Sequence, residues 1–367
     1  MSRNRKLRDI LAEKRDCWDH DLTRSAVREN FSKVVACGTL ALGAEIYSSE
    51  NERLRLLVPH TCKSRACPSC GSRATSLWQV ELEAMLPDVL YAGINFTIPG
   101  ELRPLFQQNR HLLSDLPAVG ASAIQRWVRS KYGVSVLLIA VPQTFGGMLN
   151  FNPHLHMLVS AGGFLESESR WITRLYFNKN ELMQAWRLAL SSYLWLMVGA
   201  RAVKSSLSFN SLKKLLWVQY KRKWVVYLSP CMSKTRFLRY AGRYIRRPPI
   251  PLSHILEITD GGVRFLAKDT RAKCMAELMW PQEMFIEALA EHVPDRYRHT
   301  MRYFGLLAPR SKRRISAALF VLLKQRKRPR RRPLGWAVSR YRDFGVDPLV
   351  GKDGIRLRWT GRLGSFG

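Results

Sequence analysis

Residues 150–159 have the sequence NFNPHLHMLV, in which His154 and His156 are separated by a single leucine. Side chains alternate between the two faces of a β-strand, so histidines two residues apart project from the same face. Neutral imidazoles are good ligands for divalent metals, and two of them on one face can bind one ion. The segment therefore predicts a strand, His154–Ser160, with a metal site on one face of a sheet.

The segments on either side of the histidines predict an α+β fold, an antiparallel sheet backed by helices. Apolar, β-branched runs that end at prolines or glycines indicate strands, and longer runs with one apolar face indicate helices. The predicted strands are Tyr91–Ile98, Val134–Val141, His154–Ser160 and Lys223–Leu228. The predicted helices are Ser76–Leu82, a region around Trp127, Asn180–Val198, Ser211–Gln219 and Ser233–Tyr244. A hairpin is predicted for His254–Thr259 and Val263–Ala267, joined at Asp260-Gly261-Gly262.

A pair of tyrosines follows in the segment RYAGRYIRRPPI. Tyr240 and Tyr244 are four residues apart and therefore share one face of a helix. A phenol is a workable nucleophile when a metal or a base helps to remove its proton. Tyrosines at this spacing are more often packing residues, but here the neighbouring side chains favour a role beside a DNA backbone, which guanidinium groups bind well. These neighbours are Arg239, Arg243, Arg246 and Arg247.

Three cysteines form a compact motif in the segment HTCKSRACPSCG. Cys62, Cys67 and Cys70 have the spacing of a zinc knuckle, and thiolates are preferred ligands of tetrahedral zinc. Zinc needs a fourth ligand, for which Cys37 is the best candidate and His60 the alternative. The motif predicts a structural zinc site, against the alternative of buried cysteines without a metal.

The charge of the chain is strongly unbalanced. Its 367 residues include 60 Lys or Arg and 28 Asp or Glu, a formal net charge of +32. Such a field attracts polyanions, of which nucleic acid is the commonest. Residues 301–367 alone hold 18 Lys or Arg and three Asp, and RKRPRRR at 326–332 is the densest part. Like charges this close repel one another unless a polyanion is present, so the composition predicts contact with a phosphate backbone.

Several classes of protein are excluded by composition. A hydrophobic content of 46% is ordinary for a globular protein and argues against general disorder. Seven cysteines, an odd number, do not predict a disulfide framework in a chain of this size. The basic N-terminus lacks the apolar stretch of a signal peptide, and no apolar run reaches the roughly 20 residues of a membrane span. We therefore expect a soluble protein in a reducing compartment.

The histidine pair, the tyrosine pair and the positive charge together predict an enzyme that nicks DNA through a phosphotyrosine. A divalent metal (Mg or Mn) at the histidines would act as a Lewis acid on the scissile phosphate. Spacing does not identify a third ligand, for which Gln143, at the end of the preceding strand, is the candidate. The sequence has no G-x-x-x-x-G-K-[ST] loop that would indicate use of ATP.

Five separated motifs, in this order, resemble the HUH-class rolling-circle transposases of bacterial insertion sequences, in the two-tyrosine branch. They are HTCKSRACPSCG, NFTIPGELRPLF, PQTFGGMLNFNPHLHMLVSAGG, YAGRYIRRPPI and HVPDRYRHTMRYFGLLAPR, and the resemblance spans about residues 37–307. It implies a zinc-binding N-terminal domain ahead of an HUH-type nuclease domain, and transposition of single strands through 5′-phosphotyrosine intermediates. It also implies that His154 and His156 are metal ligands and that Tyr240 and Tyr244 are nucleophiles.

Two segments depart from the pattern of such relatives. They usually carry a further CxxC ahead of the Cys62 motif, where this chain has Ser48-Ser49-Glu50-Asn51. They often have a cysteine pair after a DPL motif near the C-terminus, where this chain has Asp347-Pro348-Leu349-Val350-Gly351-Lys352-Asp353-Gly354. The expected zinc site is therefore the one around Cys62, without a C-terminal knuckle.

The sequence thus predicts three parts: a small, helical, zinc-binding N-terminal domain (1–87), an HUH nuclease domain (88–310) and a basic C-terminal extension (311–367). The expected function is rolling-circle transposition of an insertion sequence. The expected partners are single-stranded DNA of the element ends and of the target, with no membrane, and the expected location is the bacterial cytoplasm with the nucleoid. Two alternatives stay open: a plasmid replication initiator or relaxase with the same chemistry, and a non-catalytic zinc-bearing DNA-binding protein. The N-terminal knuckle and the RRPPI segment favour the transposase.

Overall fold

The computed structural model describes residues 5–64, 66–242, 248–269, 274–329, 335–351 and 353–364. Within them the helices are α1 (Arg5–Glu13), α2 (Ser25–Val35), α3 (Pro68–Met85), α4 (Arg103–Gln108), α5 (His111–Tyr132), α6 (Lys179–Gly199), α7 (Phe209–Lys221), α8 (Lys234–Tyr240), α9 (Gln282–Glu291), α10 (Pro309–Leu322) and α11 (Trp336–Phe344). The strands are β1 (Ala44–Ser48), β2 (Arg55–Pro59), β3 (Tyr91–Thr97), β4 (Val134–Ser135), β5 (Leu137–Phe145), β6 (Phe151–Ser160), β7 (Gly163–Leu165), β8 (Arg170–Ile172), β9 (Val226–Leu228), β10 (Ile255–Thr259), β11 (Gly262–Asp269), β12 (Cys274–Trp280), β13 (Arg302–Gly305) and β14 (Arg358–Leu363). Every helix in this described part of the chain is too short or too polar to cross a bilayer.

The chain divides into two compact units. The N-terminal unit consists of Met1–Val80, Arg247–Val293 and Arg330–Gly367, and the central unit consists of Glu81–Arg246 and Pro294–Pro329. Each unit therefore draws on segments that are distant in the sequence.

The central unit is built on a five-stranded sheet with the order β13-β5-β6-β3-β9, in which every neighbouring pair is antiparallel. β6, the strand with both histidines, is in the middle. A smaller antiparallel sheet, β4-β7-β8, belongs to the same unit. The predicted α+β class, with antiparallel sheets and helices, is confirmed.

Alternation along the strands gives the large sheet two faces, one of which packs into the hydrophobic core. Phe96 on β3 and Leu155 on β6 are fully buried in the hydrophobic core. Helices α4, α5 and α6 cover this face, and Phe96 stacks on Trp186 of α6 with ring centroids 4.8 Å apart. The intervening residues His154 and His156 project from the opposite face, which we call the histidine face.

Local sequence determines where two of the covering helices begin and end. α6 starts after Asn178, whose side chain accepts hydrogen bonds from the first backbone N–H groups of the helix. α5 ends at Gly133, which has the left-handed conformation (φ 67°) that favours glycine at a helix C-terminus. The start of α6 and the end of α5 are thus set by local residues.

The N-terminal unit contains two small antiparallel sheets. In one, β1 lies between β2 and β14, so that Ala44 pairs with Leu363. The other has the order β10-β11-β12, and its Phe265 packs edge-on against Phe285 of α9. The hairpin predicted around Asp260-Gly261-Gly262 is confirmed as β10 and β11.

The continuous domains predicted from the sequence (1–87, 88–310 and 311–367) differ from these units. The predicted helical N-terminal domain also contains β1 and β2. The prediction missed both strands because they are short and neither shows a regular alternation of buried and exposed residues. The predicted C-terminal extension ends in β14, which is paired with β1. Pairing between segments so far apart in the chain leaves no local periodic signal.

Candidate active site

His154 and His156 converge on the histidine face of the sheet. Their Nε2 atoms are 3.1 Å apart, and both side chains are 8% exposed. Nδ1 of His154 donates a hydrogen bond of 2.7 Å to the backbone carbonyl of Asn152. With its proton on Nδ1, a neutral His154 keeps a lone pair on Nε2, directed toward His156, which is the tautomer that a metal ligand requires.

Gln143 adds an oxygen to this pair. It lies on β5 directly opposite His154, and its side chain is 4% exposed. Its Oε1 is 3.3 Å from Nε2 of His156. Ligand atoms about 2.1 Å from an octahedral Mg²⁺ are about 3 Å from one another. Nε2 of His156 has this spacing from both Nε2 of His154 and Oε1 of Gln143, so the donor set fits a divalent cation such as Mg or Mn.

β3 contributes a further polar group, which was not among the site residues predicted from the sequence. Asn95 pairs with His156, and Thr97 pairs with His154. Among the described residues, Oδ1 of Asn95 is buried and accepts no hydrogen bond. A buried polar atom without a partner costs about 1–3 kcal/mol, which a cation or a donor from substrate would offset. In the sequence, the only indication of a role for Asn95 is that it and Thr97 interrupt the apolar run YAGINFTI at alternate positions.

Helix α8, which carries Tyr240, is anchored to β3 by buried side chains. Phe237 stacks on Tyr91 with ring centroids 4.4 Å apart and an angle of 25° between the rings. The ammonium group of Lys234 is buried and donates to the backbone carbonyl of Leu86. Burial raises the pKa of Tyr91 well above its usual value, so this phenol stays protonated and acts in packing. These contacts fix the direction of the last turn of α8.

Tyr240 lies against the histidine face of the sheet, over a glycine. A β-carbon placed on Gly93 would be 2.9 Å from Cε1 and 3.1 Å from the hydroxyl oxygen of Tyr240. Gly93 is two residues before Asn95, which is the strand partner of His156. Gly93 and Asn95 therefore belong to the same face of the sheet. Two residues span about 7 Å along a strand. The phenol therefore lies on the same face as the histidines, close to them along the sheet.

The structure describes only part of the predicted tyrosine motif. Arg239 is exposed beside Tyr240 at the end of α8. The remaining predicted residues of this motif lie outside the described residues: Arg243, Tyr244, Arg246 and Arg247.

Four cysteines come together in the N-terminal unit: Cys37, Cys62, Cys67 and Cys70, whose sulfurs all lie within 4.8 Å of one another. Sγ of Cys37 is 3.9 Å from that of Cys67 and 3.7 Å from that of Cys70, and Sγ of Cys62 is 3.6 Å from that of Cys70. Sulfurs bound to tetrahedral zinc at about 2.3 Å are about 3.8 Å apart. The four thiols therefore have the geometry of a zinc site.

His60, the alternative fourth ligand, forms other contacts. Its Nδ1 is 3.0 Å from the carbonyl oxygen of Leu42, and its Nε2 is 3.0 Å from a carboxylate oxygen of Glu45. Cys37, rather than His60, therefore lies beside the three cysteines of the knuckle. The three remaining free cysteines are separate from the cluster: Cys17, Cys231 and Cys274.

Hydrogen bonds among the thiols shift their pKa values in opposite directions. The contact with Cys62 lowers the pKa of Cys37 to about 7, and the contact with Cys37 lowers the pKa of Cys70. Hydrogen bonding to Cys37 raises the pKa of Cys62 and of Cys67. The thiolate is the form that binds a metal, so binding of zinc by these cysteines releases protons.

Comparison with known proteins links both sites to one class. Residues 9–98, which include the cysteine cluster, match the family "Transposase zinc-binding domain", and residues 138–314, which include the histidines and Tyr240, match the family "Putative transposase". The chain is 31% identical over 311 residues to the "Transposase for insertion sequence element IS801" of Pseudomonas savastanoi pv. phaseolicola, covering 80% of this chain and 74% of that protein. It is 27% identical over 308 residues to the "Putative transposase y4qJ" of Sinorhizobium fredii (strain NBRC 101917 / NGR234), covering 79% and 77%. No solved structure matches.

Proposed function

The chain belongs to the family of insertion-sequence transposases that includes the IS801 transposase, enzymes that cleave DNA and transfer strands, and we propose that it moves its element by rolling-circle transposition of a single strand. The observation that carries this proposal is the shared face of the sheet. His154, His156 and Gln143 converge there, and the phenol of Tyr240 lies against the same face.

His154, His156 and Gln143 hold the divalent metal in this proposal, through three atoms that already face one another. Bound there, Mg or Mn supplies Lewis-acid activation of the scissile phosphate. The carbonyl of Asn152 keeps the proton of His154 on Nδ1 and so leaves Nε2 available as a ligand. The sheet orients these side chains because they lie on adjacent, hydrogen-bonded strands.

The tyrosine hydroxyl of Tyr240 or Tyr244 attacks the phosphorus atom in line with the leaving group. The new bond joins the phenol oxygen to phosphorus, and the bond to the 3′ oxygen of the preceding nucleotide breaks. The phenol releases its proton, and the leaving 3′ oxygen takes up a proton to become a hydroxyl. The 5′-phosphotyrosine is still a phosphodiester, so a 3′-hydroxyl of a target strand can displace it without ATP. Two tyrosines allow two such cleavages in succession.

The cysteine cluster serves structure in this proposal. Zinc held by Cys37, Cys62, Cys67 and Cys70 has four protein ligands and no open position for a substrate. Cys37 follows the end of α2, Cys62 follows β2, and Cys67 and Cys70 lie at the start of α3. One ion therefore joins three elements of the N-terminal unit.

Single-stranded DNA of the element ends and of the target is the proposed substrate. Arg239 is exposed beside Tyr240, and we assign Arg243, Arg246 and Arg247 of the same basic segment to backbone contacts as well. The net charge of +32 supports strong attraction of DNA at low salt. A bacterial transposase with this substrate works in the cytoplasm, in contact with the nucleoid.

Two other functions were open from the sequence. A plasmid replication initiator or relaxase uses the same chemistry, but similarity to an insertion-sequence transposase over 80% of the chain favours transposition. A non-catalytic DNA-binding protein needs no convergent histidines. The three metal-facing atoms and the adjacent phenol therefore favour an enzyme.

The function is tested with purified protein and single-stranded oligonucleotides that carry the ends of its element. In Mg or Mn we expect cleavage at one position and a protein–DNA adduct that survives denaturation, and in excess EDTA we expect neither. Cleavage without an adduct, or equal cleavage of oligonucleotides with scrambled sequence, would contradict the proposal.

A further inference from the structure

The edge strand β9 and the three residues before it expose alternate side chains. Tyr227 is 60% exposed and Val225 is 50% exposed, whereas the intervening Trp224 and Val226 are buried in the core. Lys223, two residues before Val225, is also exposed. Exposed and buried side chains alternate from Lys223 to Tyr227, so an ammonium group, an apolar side chain and an aromatic ring are accessible along this edge.

The pairing of the strands places Tyr227 in register with the histidine site. Tyr227 pairs with Asn95, and Asn95 pairs with His156 on its other side. Paired residues of antiparallel strands project from the same face, and neighbouring strands are about 4.8 Å apart. The base of the Tyr227 side chain is therefore about 10 Å from that of His156 across the sheet.

Tyr227 does not have the contacts of a packing residue. Among the described residues, its side chain forms no hydrogen bond and no ring contact. The exposed Trp217 of α7, by contrast, stacks on Tyr220 with ring centroids 6.1 Å apart. An exposed ring at the edge of a sheet has the geometry of the aromatic residues on which single-stranded nucleic acids stack their bases.

A cleft lies at the C-terminal end of β3, next to these exposed residues. It has a volume of about 280 Å³, and Thr97, Arg103, Lys223 and Val225 are among its lining residues. Thr97 is the strand partner of His154. Nε of Arg103 is buried without a hydrogen-bond partner in the described part of the chain. Cationic groups thus line the cleft at this edge of the sheet.

We propose that Tyr227 is a base-stacking residue for the single-stranded substrate, with Lys223 on the adjacent phosphate, and that the strand runs from β9 across the sheet to His156. The inference rests on the proposed function, because it assigns the path of the DNA to the same site. A π-face stacks any base, so Tyr227 contributes affinity and position rather than sequence specificity. The hydroxyl of Tyr227 is not needed for stacking.

The test measures binding without cleavage. Wild-type protein and Tyr227→Ala are titrated with fluorescently labelled oligo(dT) in EDTA, at a salt concentration high enough to weaken purely ionic binding. We expect Tyr227→Ala to lose about 5- to 150-fold in affinity, the range for one stacked base. Tyr227→Phe keeps the ring and should bind as the wild type does. Tyr176→Ala is the matched control, because Tyr176 is 68% exposed but lies beside Tyr132 at the end of α5, on the helix-covered side.

An abasic oligonucleotide of the same length separates stacking from a structural effect. Without bases to stack, wild type and Tyr227→Ala should bind it equally, whereas a disturbed surface would weaken binding to both oligonucleotides. If the wild-type protein forms the covalent adduct but Tyr227→Ala binds oligo(dT) as tightly as the wild type, this inference is wrong and the proposed function stands. A wild-type protein that binds no single-stranded DNA would overturn the proposed function and this inference with it.

Discussion

Tyr240 occupies the space that a side chain on Gly93 would fill, with its Cε1 2.9 Å and its hydroxyl oxygen 3.1 Å from the position of a β-carbon there. The absence of a side chain at Gly93 is thus what lets the phenol lie flat on the strand that pairs with the histidine strand. The glycine sets the height of the candidate nucleophile above the sheet.

Gly93→Ala is expected to push the ring of Tyr240 off the sheet. A displacement of about 1 Å in a reacting group can lower the rate about 100-fold. We expect a loss of this order in cleavage of single-stranded DNA through Tyr240, with unchanged DNA affinity and zinc content. Gly100→Ala is the control, because a β-carbon there meets nothing within 4 Å. Equal cleavage rates for both variants would show that Gly93 does not position the phenol.

His154→Ala and His156→Ala are expected to abolish cleavage while leaving the affinity for single-stranded DNA nearly unchanged, since that affinity comes mainly from Lys and Arg. Both should also lose the binding of Mn²⁺, measured directly by electron paramagnetic resonance. Gln143→Leu should weaken Mn²⁺ binding and raise the metal concentration that cleavage requires. The exposed His299 provides the control variant, His299→Ala. Full Mn²⁺ binding by both histidine variants would contradict the assignment of the metal site.

Cys67→Ser is expected to lose bound zinc and to lower the unfolding temperature of the N-terminal unit, because zinc binding contributes directly to folding. Elemental analysis should give about one zinc per wild-type chain and much less for the variant. His60→Ala should keep its zinc, since His60 contacts Leu42 and Glu45 instead. Cys231→Ser, at an exposed cysteine outside the cluster, is the matched control. Zinc retained by Cys67→Ser would rule out this cluster.

Glu45 is expected to stabilise the pairing of β1 with β14 in a pH-dependent way. Its carboxylate accepts hydrogen bonds from the indole of Trp359 (2.8 Å) and from Nε of Arg362 (2.9 Å). The bond from Trp359 is the main reason why the pKa of Glu45 is below its ordinary 4.5. A lowered pKa in the folded state means that this stabilisation is complete above pH 4.5 and is lost as the pH falls through the lowered value.

Glu45→Gln should therefore lower the urea midpoint at pH 7, and the difference from the wild type should shrink in acid. Glu50→Gln is the control. The carboxylate of Glu50 pairs with Arg358 of β14 but is 74% exposed, and such surface pairs contribute little to stability. A difference that stays constant from pH 7 into acid would contradict the role of the Glu45 charge.

The sequence predicted the centre of the large sheet because its strands are apolar, β-branched runs that end at prolines or glycines. In β6, His154 and His156 interrupt the buried residues Leu155 and Met157, and this pattern shows both the strand and its polar face. Spacing did not identify the third ligand, and Gln143 was a candidate only because of its place near the end of the neighbouring strand. The cysteine motif was equally visible, because knuckle spacing is a short-range feature.

The remaining features depend on contacts that no local pattern records. The partner of β1 is β14, at the other end of the chain, and its sequence indicates no strand by itself. Asn95 became a candidate only when the register placed it opposite His156. The relation of Tyr240 to Gly93 likewise requires α8 to pack on β3, which Phe237 and Tyr91 achieve by stacking.

The most direct test of the central claim is to locate the covalent bond between protein and DNA. The wild-type protein is incubated with a single-stranded element end and Mn²⁺, the adduct is digested with trypsin and a nuclease, and the modified peptide is identified by mass spectrometry. We expect a nucleotide on Tyr240 or Tyr244, reduced to one site in each single Phe variant and absent from the Tyr240→Phe, Tyr244→Phe double variant. A nucleotide on any other residue, or an adduct that persists in the double variant, would contradict the tyrosine mechanism.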